Sequence, residues 1–322
     1  MMRRVLGVVF LVGAVILSAR VGVAQVPAWP GKPVKIIVVA PPGGSLDNST
    51  RPLTEHLTRA FGQQFIIDNR GGASGAIGVE AAVKSSADGY TFVVMSSSTG
   101  AILPNVRKLS FDIFKDLAAV SYFIDGVQLL SVHPSVPAQT LQELVAYGKA
   151  NPGKLNFGNP GLGTAAHLFS ELFVRAAGIQ MTQVSYKGAG DALPDFLAGV
   201  TQVYLDPNAL PHIKAGKIRM VAVFDSQRHP DFPTIPTLRE VYPELDDVWW
   251  IGMFAPAGTP PAIIRRLNEE IARIARSDEY KAQMGRVSLR PNPGSPEDLA
   301  AILRKDFDRF GKLAQALQLR MD

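Results

Sequence analysis

From Val34 to Val39 the chain is apolar with a single interruption, VKIIVV, and at Ala40 it turns abruptly into the small and polar stretch APPGGSLD. Apolar positions then return at helical spacing from about Asp47 to Phe61. This pattern predicts a buried strand, a tight loop and an amphipathic helix. The same order continues. QFIID (Gln64 to Asp68) reads as a strand, and the glycine-rich NRGGASGAIG leads into a second helix through Lys84. DGY then turns the chain into the strand YTFVVM. A β-α-β-α-β order with short connections is the signature of a parallel, doubly wound sheet.

The pattern occurs a second time. LNFGN (Leu155 to Asn159) predicts a strand, PGLGT a glycine loop, and AAHLFSELFVRAAG an amphipathic helix closed by Gly178. MTQVSY, KGAGDALPDFLAG and TQVYLD then read as strand, glycine-opened helix and strand. Two such units predict two similar α/β lobes. Ser121 to Pro134 reads as extended chain crossing between them, and WWIGMFAPAGTPP returns it after a proline-rich stretch. Two amphipathic helices follow, and they are expected to pack on the first lobe. The expected division is residues 25–124 plus 250–322 for lobe 1 and 125–249 for lobe 2. Ligands of open α/β sheets bind outside the carboxyl ends of the strands, which in both units are glycine loops entering helices. Both sets of loops should therefore face one cleft, closed by a hinge.

The N-terminus belongs to another pattern. MMRR, the apolar run Val5 to Leu17 and the small residues before Gln25 predict a secretory signal peptide over residues 1–24. Arg20 argues against the alternative, an uncleaved anchor. The expected location of the mature chain is periplasmic. Cleavage removes Arg3, Arg4 and Arg20 and no acidic residue, so the net charge falls from +5 to +2. No Lys/Arg stripe with interleaved aromatics is present, which argues against nucleic acid. With no cysteine in the chain, disulfides, thiolate catalysis and Cys-ligated zinc are excluded.

The glycine loops fit few chemistries. Gly43-Gly44 is followed by Ser-Leu-Asp, without the lysine a phosphate-binding P-loop needs. Gly161-Leu162-Gly163-Thr164-Ala165-Ala166 matches a dinucleotide fingerprint locally, but the next strand ends without the required acid. Gly72-Ala73-Ser74-Gly75-Ala76 departs from a nucleophile elbow at its last position. No paired histidine spacing suggests a metal, and no cofactor is implied. Backbone anion binding remains: free N–H groups at a helix N-terminus receive a carboxylate without a basic side chain. Ser45, Thr164 and the Ser96–Thr99 run, including Ser97 and Ser98, add hydroxyls.

Six blocks in order carry a resemblance: WPGKPVKIIVVAPPGGSLD, GQQFIIDNRGGASGAIG, ADGYTFVVMSSS, ANPGKLNFGNPGLGTAAHLFSELF, VSYKGAGDALPDFLAG and WWIGMFAPAGTP. From about Trp29 to its C-terminus the chain resembles the Bug family, the extracytoplasmic solute receptors of tripartite tricarboxylate transporters. The resemblance implies a periplasmic-binding-protein-like α/β fold of two doubly wound lobes with a cleft between them. It also implies a carboxylate ligand delivered to integral-membrane transporter subunits; presenting the ligand to a sensor protein is compatible with it. Carried over, the first-lobe loop is Pro41 to Asp47, with Gly43, Gly44 and Ser45. The second-lobe loop is Gly161 to Thr164, with Gly163, and His167 follows on the helix. Asp206 matches a position facing the ligand's other end, where it suits an ammonium or hydroxyl or instead caps a helix. Asp47 is expected to be a helix N-cap, since its charge repels a carboxylate. The family commonly carries an aromatic before Pro-Pro-Gly-Gly, whereas this chain has Ala40, which implies a wider floor and a bulkier, aromatic or dicarboxylic acid. The competing class is a secreted α/β hydrolase with Ser45 or Ser74 as nucleophile.

Overall fold

The computed structural model describes residues 29–225, 227–243, 245 and 249–316. The signal peptide expected over residues 1–24 lies outside the described residues. In chain order the elements begin with β1 (Val34–Val38), α1 (Ser45–Phe61), β2 (Phe65–Asn69), α2 (Ala76–Val83) and β3 (Thr91–Ser96). A π-helical turn, Ser98–Ile102, runs into the short α3 (Leu103–Val106), followed by α4 (Ile113–Asp116), β4 (Leu117–Gly126) and β5 (Gln128–Val132). The second βαβαβ unit follows α5 (Leu141–Ala150): β6 (Leu155–Asn159), α6 (Ala165–Ala177), β7 (Met181–Ser185), α7 (Ala189–Leu197) and β8 (Val203–Leu205). After α8 (Leu210–Lys214) come β9 (Arg219–Phe224), α9 (Leu238–Val241) and β10 (Trp249–Pro256). The chain ends in α10 (Pro261–Arg276), α11 (Asp278–Gly285), β11 (Leu289–Gly294) and α12 (Pro296–Ala316).

Two sheets organise these elements. The first has the order β11-β4-β10-β3-β1-β2 and the second β7-β6-β8-β5-β9. The βαβαβ units supply the parallel triplets β2-β1-β3 and β7-β6-β8. The expected two-lobed α/β architecture is therefore present. The sheets are mixed rather than purely parallel, because each admits a strand arriving from the other lobe. β10 pairs antiparallel with β3, and β5 pairs antiparallel with β8. A chain entering from the far lobe meets the sheet end-on and runs back against it, so its direction is reversed.

β4 belongs to the first sheet and β5 to the second, so the chain changes lobe between Gly126 and Gln128. A Cβ at Gly126 would lie 1.7 Å from Trp249 Cε3, which is why the crossover tolerates no side chain there. Nearby, Arg290 on β11 bridges Asp125 at 3.4 Å and Asp225, just past β9, at 3.2 Å. The central strands are nearly uninterrupted apolar runs because helices cover both faces. Val34, Ile36, Val38 and Phe92 to Val94 are fully enclosed, as are Phe157, Val203 and Ala222 in the second sheet. α10 and α12 pack against β4. Among the described residues no helix is long and apolar enough to cross a membrane.

Candidate functional site

The loops that follow β1, β2, β6 and β7 all open onto a single cleft between the lobes. Four helix N-termini meet there. Gly44 precedes α1 and Gly75 precedes α2 from one side; Thr164 precedes α6 and Gly188 precedes α7 from the other. At Gly44, Gly75 and Gly188 no side chain caps the helix. The first N–H groups of a helix have no intrahelical partner, and the macrodipole places about half a positive charge at that end. The cleft thus concentrates backbone donors and positive potential with little basic side-chain chemistry. Lys187, exposed at the mouth, is the one cation lining it among the described residues.

Several residues singled out by loop pattern or by the resemblance lie in this cleft. Ala40, Gly44, Ser45, Ser98, Thr164 and Asp206 line it. Ser45 Oγ donates to Asp206 Oδ1 at 2.7 Å, joining the two lobes across 161 residues of sequence. Ser98 Oγ accepts from the Ala165 amide at 2.7 Å, and Ser74 Oγ donates to the Leu162 carbonyl, so three serines bridge the lobes. Ser74 follows Ala73 and precedes Gly75, all three at positive φ (49°, 55° and 93°). Strain of this kind at two non-glycine residues in a row is characteristic of a functional wall.

Other candidates stand behind the lining. Gly43, Asp47, Ser97, Gly161, Gly163 and His167 do not form the cleft surface. Asp47 is not the N-cap of α1; Gly44 is. The helix starts two residues earlier than its apolar spacing suggests, and Asp47 Oδ2 reaches back to accept from the Gly43 amide at 3.0 Å. Its carboxylate is further bound by Arg51 at 2.7 Å and Asn69 at 3.1 Å, so its charge is compensated away from the cleft. Thr164 caps α6, accepting from the His167 amide at 3.3 Å and donating to the Gly161 carbonyl at 2.7 Å. His167 Nδ1 accepts from the Gly163 amide at 3.3 Å, and burial lowers its pKa, which keeps the ring neutral. Both groups shape the loop that presents the α6 terminus.

Asp206 is the cleft's buried acid. It caps the 3-10 turn after β8, accepting from the Asn208 amide at 2.9 Å, and faces the cleft with the same carboxylate. Burial raises its pKa to about 6 against the opposing pull of the Ser45 and Asn208 hydrogen bonds. Beside it the pattern of residues gave no hint of Gln128, whose buried Oε1 has no protein partner among the described residues. Trp249 also lines the cleft, whereas Phe157 is buried in the second sheet. Gln128 and Trp249 sit at the two lobe crossings, where neither helical nor strand periodicity marks a residue as facing a ligand. Lys187 was legible only as a loop residue, and Ser74 only as the nucleophile of the competing hydrolase reading, not as a lining residue of a binding cleft.

No imidazole contacts Ser45 or Ser74 among the hydrogen bonds of the described residues; their hydroxyls are committed to Asp206 and the Leu162 carbonyl. Nor do three His, Asp or Glu side chains converge in a metal-binding cluster among those residues.

Residues 50–319 match the family described as the tripartite tricarboxylate transporter family receptor. Protein BugT of Bordetella pertussis is 34% identical over 287 residues, which is 88% of each chain. Among solved structures, R. palustris Rpa4515 with adipate superposes with a TM-score of 0.87 at 31% identity, covering 91% of this chain and 99% of that one. MatC from Rhodopseudomonas palustris with bound malate gives 0.83 at 26% identity, over 88% and 99%.

Proposed function

The chain belongs to the tripartite tricarboxylate transporter receptors of the Bug type, and on that premise we propose that it captures a carboxylate-bearing small molecule in the periplasm and delivers it to a tripartite membrane transporter. The carrying observation is the convergence of four helix N-termini from two lobes on one cleft. A carboxylate placed among them accepts hydrogen bonds from both lobes. At roughly 1.5–3 kcal/mol for each hydrogen bond to a charged group, a handful offsets the ordering cost of association. That surplus is enough to allow micromolar affinity, about −8 kcal/mol.

Asp206 and Gln128 supply acceptors and leave the opposite end of the ligand to bring a hydrogen donor. An ammonium or hydroxyl meets that demand. Ala40 leaves space for a bulkier body, so a substituted, aromatic or dicarboxylic acid fits the proposal better than a small amino acid. The adipate and malate of the two structural relatives support an acid of this kind. The carboxylate reading also argues for a receptor rather than a hydrolase: the two candidate serines act as ties between lobes, and closure around the ligand uses them as such.

Thermal-shift and calorimetric titration across mono-, di- and tricarboxylates, amino acids and aromatic acids tests the reading. A true ligand at 100 times its Kd adds about 2.7 kcal/mol of stability and is recovered chemically unchanged. Turnover of the bound acid, or no shift with any carboxylate, overturns it.

A further inference from the structure

A second cavity, of about 290 Å³, shares no lining residue with the cleft. It lies where the loop joining α3 to α4 meets α12. Phe111, Phe114 and Phe307 form its walls, all half-buried, and the Phe114 and Phe307 rings meet edge to face at 5.1 Å. Arg107, Lys108 and Arg304 surround them. Among the described residues none of these three cations forms an ion pair; Arg304 instead lies 3.5 Å over the Phe114 ring. One acid, Asp112, also lines the cavity, but it caps α4 and pairs with Lys115 at 3.2 Å. Its charge is spent on its own loop.

We infer that this cavity is a second binding site, and that it takes a small apolar acid: a ring system or short hydrocarbon body carrying one anionic group. The chemistry of the two ends is complementary. Half-exposed phenyl rings gain by leaving water, in proportion to the apolar area covered. Three cations with no carboxylate partner attract one negative group, and the planar guanidiniums of Arg107 and Arg304 can each take both oxygens of a carboxylate. The Arg304 guanidinium is held in place by the ring beneath it, which reduces the ordering cost of binding. A polar dicarboxylate gains little here, since its second charge would lie against phenyl rings. The site therefore differs from the cleft in how it holds the anion: basic side chains over phenyl rings here, helix N-termini and a buried acid there.

The inference uses the cleft reading only to assign which isotherm belongs to which site. Calorimetry with 1-naphthoate, against 1-naphthalenemethanol as the uncharged control, tests it on the mature chain. Arg107→Gln/Lys108→Gln/Arg304→Gln is expected to weaken one naphthoate isotherm tenfold or more. Because Arg304 also covers Phe114, the double variant Arg107→Gln/Lys108→Gln serves as a second measurement, expected to give at least a threefold loss with an unchanged melting temperature. The alcohol should bind more weakly to the parent chain and be indifferent to both variants. Gly190→Ala, which impairs the cleft by obstructing closure, should leave this isotherm intact, even if no carboxylate is ever found for the cleft. Naphthoate binding that survives the triple substitution, that Gly190→Ala abolishes, or that is absent from the parent chain overturns the proposal.

Discussion

Burial places the Asp206 carboxyl near pH 6 even though Ser45 Oγ and the Asn208 amide both favour its ionised form. The sign of its pH dependence follows from what it must do. An ammonium or hydroxyl on the ligand donates to the ionised carboxylate, which predominates above pH 6 and is lost as pH falls through that value. Affinity for such a ligand should hold between pH 7 and 8 and fall about tenfold by pH 5, one unit below the folded pKa. Asp206→Asn should flatten the profile, read by calorimetry at both pH values. A ligand that points a second carboxylate at Asp206 would give the opposite slope, and that slope would assign the ligand's far end. Ala40 also lines the cleft, and Ala40→Phe would add bulk there. It is expected to abolish binding of a bulky acid while sparing or improving that of a small one; equal weakening of both would remove Ala40 from the selectivity determinants.

Helix termini act as units, and their approach across the cleft depends on missing side chains. A Cβ on Gly188 would come within 2.5 Å of Pro41 Cδ, and one on Gly190 within 2.6 Å of the Pro42 carbonyl oxygen. Neither glycine lies in the left-handed region, Gly188 being extended at φ 175°, so an alanine at either position needs no strained backbone. The clash appears only when α7 meets the loop before α1. Gly190→Ala is therefore expected to weaken ligand binding at least tenfold, since backbone cannot yield as a flexible side chain would, while the unfolding midpoint in urea without ligand moves little. A large loss of stability would show instead that Gly190 matters to folding and not to closure.

On the scale of the whole molecule, the lobes touch through Ser45–Asp206, Ser74–Leu162 and Ser98–Ala165 and are linked beside the crossover by Arg290. A ligand contacting both lobes favours the closed arrangement because only there are all its contacts made. Small-angle scattering should give a smaller radius of gyration with saturating ligand than without. Gly190→Ala should keep the larger value in both conditions. Identical curves for the parent chain would mean that the ligand sits on one lobe alone, or that the Ser45–Asp206, Ser74–Leu162 and Ser98–Ala165 contacts already hold the free protein closed.

Local patterning determined much of this protein. Apolar runs ending in glycine loops and amphipathic helices identify both βαβαβ units, because strand burial and helix amphipathicity are short-range properties of the chain. They also identify the loops before α1 and α6 as cleft-facing, since a strand running into a helix must present that helix's N-terminus at the sheet edge, whereas the loops before α2 and α7 join them only in the tertiary structure. Only the tertiary structure decided which loop side chains face the ligand. Asp47 was expected to be a cap because its charge would repel a carboxylate, but the helix begins at Ser45 and its acid is compensated by Arg51 and Asn69. Gln128 and Trp249 enter the cleft because two strands cross between lobes and pair antiparallel with sheets they do not follow in sequence. The Ser45–Asp206 bond spans 161 residues, and the three cations of the second cavity come from one loop and the last helix. Pairings of that range are set by the packing of whole elements, which no local period records.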